Sequence, residues 1–163
     1  MASEDDLPHH CDTAAPVSRE HMLSLATDAV RSRLAVLDLC GTIIAANLAW
    51  RKHATTLPAS QRVLPGDNIF AAAAASSSRA LVLTTELIRS MASQDHGEAH
   101  RDFEERAEPD SQWSRVRCIT LRADGRPCLV LSFDDITQQV HDAAELQSRS
   151  QMLAQARELA EEA

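Results

Sequence analysis

QWSRVRCITLRADGRPCLVLSFD, residues 112–134, carries the pattern from which the sheet can be built. Apolar and polar positions alternate on both sides of Asp124-Gly125, a dipeptide suited to a two-residue hairpin turn because both central positions need positive φ. With that turn closed, Cys128 falls opposite Leu121 and Cys118 opposite Leu131. Val116, Cys118 and Thr120 then stand beside Leu129, Leu131 and Phe133, while the other face pairs Arg115 with Asp134 and Arg117 with Ser132. The first set must point to the core, since a slip of one residue would turn it to water. The second face keeps an apolar end, Leu121, Ile119, Val130 and Cys128, which needs a cover. In this register the two sulfurs lie several residues out of step, so a disulfide between Cys118 and Cys128 is disfavoured. No pair among Cys11, Cys40, Cys118 and Cys128 has CxxC spacing, which leaves reduced thiols as the expectation.

Upstream, Glu98 to Arg106 reads as the strand that completes a three-stranded meander. Arg33 to Asp38 and Thr42 to Ala46 form an earlier pair, joined through Leu39-Cys40-Gly41, where glycine can take the positive φ of the turn. Between the two sets lie a short helix at Asn47 to His53, a loop at Pro58 to Pro65, and a turn with a helix cap at Gly66-Asp67-Asn68. A helix follows at Ile69 to Ala75, whose alanines either leave room for a ligand or merely fill the helix. Arg79 to Met91 carries Ala80, Leu83, Leu87 and Met91 on one side and reads as amphipathic. The expectation is an α+β fold, a five-stranded antiparallel sheet with helices on one face.

At 163 residues the chain accommodates one core domain and a short appendage at each end. Residues 1–16 are acidic, hold two prolines and lack apolar periodicity, as in a disordered arm. Residues 17–32 read as a flanking helix: Ser18 is its cap, Val17 and Met22 its staple pair, and Met22, Leu25, Ala26 and Ala29 its apolar stripe. This helix is the candidate cover for the outer sheet face, packing across a dimer. Residues 33–136 form the core. From Thr137 to Ala163 there is no proline or glycine, Leu146, Leu153 and Ala160 repeat at seven, and Ala156 with Ala163 makes a second seam, the pattern of a short coiled coil. The expected dimer interface therefore comprises Met22, Leu25, Ala29, Ile119, Val130, Leu146 and Leu153.

The formal charge of -8, without a Lys/Arg stripe, argues against nucleic acid and anionic lipid as partners, and an aromatic content of 3% argues against base stacking. The apolar runs are too short to cross a bilayer and the acidic start does not resemble a signal peptide, so a cytoplasmic location without membrane contact is expected. No ATP-binding glycine box, nucleophile elbow or HExxH is present, which points away from an enzyme.

Several motifs resemble the PAS family over Leu34 to Thr137. Leu34-Ala35-Val36-Leu37-Asp38, Gly41-Thr42-Ile43-Ile44 and Ala46-Asn47 look like its opening hairpin and first core helix. Trp50-Arg51 and Pro65-Gly66-Asp67-Asn68 match a common bacterial subgroup, and Phe103-Glu104, Trp113 with Val116, and Asp134-Asp135-Ile136-Thr137 fit its last three strands. Their order and spacing together carry the resemblance. It implies a sensory input module in which Asp135 and Thr137 relay change from the sheet to the output helix, with Thr137 able to cap that helix. It also implies a ligand cavity between the concave face (Val116, Cys118, Thr120, Leu129, Leu131, Phe133) and the helix opposite (Leu83, Leu87), with Thr84, Thr85 and His100 as polar anchors. Haem-binding members commonly use a histidine from the long helix, which has none here, and flavin-binding members an Asn-Cys-Arg-Phe segment, which is absent. A small organic ligand, or none, remains as the cofactor expectation. Residues 153–163 resemble the connector leading into a sensor histidine kinase, so the implied partner is a downstream kinase domain in a homodimeric parent. A diguanylate cyclase output and a ligand-free dimerisation module are the alternatives.

Overall fold

Asp124 and Gly125 take φ values of 52° and 76°, and the turn they form sets β4 (Ser111–Ala123) against β5 (Arg126–Asp135) in the expected register. Cys118 faces Leu131, Leu121 faces Cys128 and Arg115 faces Asp134. The computed structural model describes residues 18–94, 97–106 and 111–161; the arm 1–16, Val17 of the staple pair and Ala163 of the second seam lie outside them. β3 (Gly97–Arg106) pairs with β4, while β1 (Arg33–Leu37) lies between β5 and β2 (Ile43–Ala46). The result is a five-stranded antiparallel sheet in the order β2-β1-β5-β4-β3. Between β2 and β3 the chain forms α2 (Leu48–Thr56), a 3-10 turn (Ala59–Gln61), α3 (Ile69–Ala75) and α4 (Arg79–Met91), which cover one face. α1 (Arg19–Asp28) precedes the sheet and α5 (Thr137–Glu161) follows it. The α+β architecture is therefore the one expected.

The inward row of the hairpin is the core. Val116, Cys118, Leu129 and Leu131 are fully buried with Ala35, Leu37, Leu87, Ile88 and Met91 in one cluster. Each large aliphatic side chain there contributes roughly 1.5–3 kcal/mol relative to exposure. At the β1–β2 turn Gly41 has φ 85°, and a Cβ on it would sit 2.4 Å from the Phe70 ring. The glycine is thus required twice, by backbone conformation and by the close approach of α3.

Asn47 joins three segments. Its side-chain oxygen accepts the N–H groups of Leu34 (2.9 Å) and Trp50 (3.0 Å), and its amide donates to the carbonyls of Thr27 (3.0 Å) and Ser32 (2.9 Å), with Val30 at 3.4 Å. The first pair caps α2 and tethers β1; the second folds the end of α1 back onto them. This arrangement corrects the flanking helix, which ends at Asp28 rather than continuing to Ser32. Carbonyls that would have continued it are bound by Asn47, and the Asp28 carboxylate accepts the Leu48 N–H (2.6 Å) and pairs with Arg51 (3.3 Å). α1 consequently packs beside α2 and leaves Met22, Leu25 and Ala29 exposed. Within the chain it does not cover the outer sheet face, where Leu121 is 46% exposed and Ile119 and Val130 are half-buried.

Asn47→Ala should lower the unfolding free energy by about 3 kcal/mol, since it removes a helix cap and leaves buried backbone groups unmet. Asn47→Asp, which keeps the acceptor and loses the donors, should recover only part of this in chemical denaturation.

Candidate functional site

Three of the chain's five aromatic residues converge at one end of the sheet. Trp50 meets Phe133 edge-on at 5.6 Å between ring centroids, and Phe103 meets Phe133 likewise at 6.4 Å. Trp50 is held in place by its indole N–H, which donates to the Val63 carbonyl at 2.7 Å. These rings wall a cavity of about 480 Å³. Trp50, His53 and Ala54 line it from one side of α2, where spacings of three and four residues place them together, and Leu57 joins them just past the helix end. Ser78 to Leu81, at the N-terminus of α4, close another wall, and Arg33, Phe103, Glu105 and Phe133 come from the sheet.

The polar part of this lining is unusual for its burial. Arg33 has a side chain 19% exposed, lies 3.8 Å from a Glu105 carboxylate oxygen and stacks over the Phe133 ring at 4.9 Å. Burial lowers its pKa, opposed by the charges of Glu105, Asp135 and Asp134. Burial, and then the Arg33 charge, likewise hold the His53 imidazole below its ordinary pKa, with Glu105 partly offsetting them.

Of the residues expected to line the cavity, Phe133 alone does so. Val116, Cys118, Leu129, Leu131 and Leu87 belong to one buried cluster, Leu83 packs on it, and Thr120 is buried with its hydroxyl unpartnered among the described residues. The reason is α4, whose Leu87, Ile88 and Met91 fill the concave face and push the open volume toward its first turn. Burial pushes the Cys118 thiol up to about 11, consistent with an inert core thiol. Thr84 and Thr85 donate to their own helix, at Ala80 O (2.7 Å) and Val82 O (2.8 Å) and are spent as anchors. His100 pairs with Arg117 across β3 and β4 and is exposed. The alanines of α3 take no part in the lining. Arg33, His53 and Glu105 were missed because they come from three separate elements and share no local pattern.

Asp135 and Thr137 do meet, though Thr137 is not a side-chain cap. Its hydroxyl accepts the Trp113 N–H at 2.8 Å, so it fastens α5 to β4. The cap is Asp135, whose carboxylate accepts the Thr137 N–H at 2.9 Å and a Gln112 amide N–H at 3.1 Å. Bonds from the Thr137 hydroxyl and backbone hold the Asp135 carboxyl below the usual carboxylate range. Beside the joint runs an open groove lined by Asp134, Asp135 and Thr137 and also by Arg33, His53, Glu105 and Phe133. The last four thus stand between the cavity and the first turn of α5.

No family model matches the chain, and no curated protein matches it. Solved structures do. The PAS domain of BvgS from Bordetella pertussis is 14% identical, with a TM-score of 0.52 over 82% of this chain and 98% of that one. An RNA-binding light-oxygen-voltage receptor is 16% identical, with a TM-score of 0.56 over 94% of this chain; the match spans 43% of the receptor. The PAS domain of nitrogen regulation protein NR(II) from Vibrio parahaemolyticus is 15% identical over 71% of this chain, with a TM-score of 0.46. Strand order, hairpin register, helices on a single face and the match to nearly the whole BvgS domain agree: this chain has the PAS fold.

Proposed function

We propose that the chain is a non-catalytic sensory module, in which occupancy of the aromatic-walled cavity is transmitted to α5. The observation that carries this reading is the shared wall: Arg33, His53, Glu105 and Phe133 line the cavity on one side and the groove beside Asp135 and Thr137 on the other. A ligand that displaces any of them changes the packing and electrostatics at the first turn of α5. Asp135, capping the helix, and Thr137, bonded to β4, are the relay. Native mass spectrometry of the purified chain should show a stoichiometric small molecule. Its removal should change amide exchange over residues 136–140, and Thr137→Val should abolish that response. An empty chain indifferent to added small molecules would favour a ligand-free dimerisation module, a reading supported by the solid packing of the concave face.

The module acts as a homodimer. α5 is exposed along its length, Leu146 and Leu153 included, the latter at 72%. Met22 and Leu25 on α1 are also exposed, and Ala45, Val36, Val130 and Ile119 form an apolar row across four strands of the outer face. A second copy that covers these surfaces buries all three. Light scattering should give a dimer for the full chain, weakened by deletion of residues 137–163 and further by deletion of 1–32; a monomeric full chain at high micromolar concentration contradicts this. The heptad pattern and wording of residues 146–163 support a histidine kinase as the downstream output. Among the described residues no helix is long and apolar enough to cross a membrane, and we place the module in the cytoplasm.

His53 gives the module a pH signature. Its folded pKa is lowered from 6.5, so the unfolded chain binds the proton more readily. Stability from this group is therefore present above its unfolded pKa and lost as pH falls below it. The wild type should lose stability between about pH 7 and pH 5 relative to His53→Asn, measured as the difference between their urea midpoints across that window.

A further inference from the structure

We propose that the cavity takes an amphipathic organic acid, with its carboxylate held by the Arg33 guanidinium and its apolar body against Trp50, Phe103 and Phe133. This rests on the sensor reading above and names the class of molecule that the same cavity accepts. The volume, about 480 Å³, lies within the range of small-molecule sites. Its walls are largely apolar, so most of the ligand must be hydrocarbon. Among the polar residues of the wall, Arg33 is the one that stacks on an aromatic ring of the lining. It is mostly buried, yet no described residue accepts a hydrogen bond from its guanidinium: Glu105 is at 3.8 Å, and the other contact is the face of Phe133. A largely buried guanidinium whose paired carboxylate stands 3.8 Å away keeps donors of its fork open to a further acceptor, and a planar carboxylate can take them with two parallel bonds.

Arg33 is not the sole positive group of the wall. Arg79 and the N-terminus of the thirteen-residue α4 also face the cavity. The Ser78 side chain caps Leu81 N, while the amides of Arg79 and Ala80 have no acceptor among the described residues. Two guanidiniums and a helix N-terminus thus stand in the wall with the carboxylates Glu104 and Glu105, and the positive groups give a ligand carboxylate its counter-charge. A dianionic phosphate fits less well, since it would bring a second charge out of water against Glu104 and Glu105. A monocarboxylate meets the Arg33 fork and leaves its tail among the rings.

Isothermal titration of the full chain with decanoate, decanamide and decylamine tests this, because the three probes share a tail and differ in the head. Decanoate should bind at least about tenfold more tightly than either analogue. Arg33→Gln should erase that preference while decanamide affinity stays unchanged, which shows that the cavity persists, and Arg33→Lys should keep part of it. Decanamide or decylamine binding as tightly as decanoate overturns the proposal and leaves the sensor reading standing, as does decanoate binding that ignores Arg33→Gln. Failure of all three to bind also overturns it. Native mass spectrometry then separates the two readings: a retained non-acidic molecule keeps the sensor, and an empty chain removes it as well.

Discussion

The Asn47 carboxamide, 4% exposed, holds together the part of the molecule on which the site depends. A single planar amide can satisfy backbone donors with its oxygen and backbone acceptors with its nitrogen, and here it does so for α2, β1 and the tail of α1 at once. Because buried backbone groups must be paired, each of those segments has one allowed position relative to the others. The cap also sets the rotation of α2. Trp50, His53 and Ala54 follow at helical spacing, and fixing Asn47 turns them all toward the sheet.

That geometry explains why the open volume lies where it does. α4 lays its aliphatic residues into the concave face of β4 and β5 and closes it. Near the first turn of α4 the neighbour is α2, and the gap between them is spanned by aromatic rings rather than filled by aliphatic side chains. With so few aromatics in the chain, grouping three of them at this end gives the cavity stiff walls, since rings have few rotamers to lose. The charged residues Arg33 and Glu105 sit where the wall thins toward the groove at α5. Ser32, hydrogen-bonded through its hydroxyl to Asp134, and Arg33 next to it bring β1 to the same joint. Cavity, wall and output helix are therefore mechanically contiguous, which is the condition for any two-state coupling between them.

Local chemistry made much of the fold legible. Asp124-Gly125 fixed the hairpin register, and the alternation on each side fixed which face is core. Ser18, Asn68 and the stripe of α4 gave true helix starts or faces, because caps and periodicity are properties of a few adjacent residues. Thr137 shows the limit: its type suits a cap, yet Trp113 of β4 lies close enough to bind its hydroxyl, and the neighbouring Asp135 caps instead. The flanking helix failed to reach Ser32 for a similar reason, since Asn47, well beyond it in sequence, takes its carbonyls.

The register of the β4–β5 hairpin, its inward face and the order of elements were legible in the sequence, since each follows from side-chain alternation and turn chemistry within a short window. Where the cavity lies and which charges face it follow instead from three-dimensional packing. Arg33, His53 and Glu105 belong to β1, α2 and β3, and their significance comes from shared burial, a property of the packed whole that no single window of sequence contains.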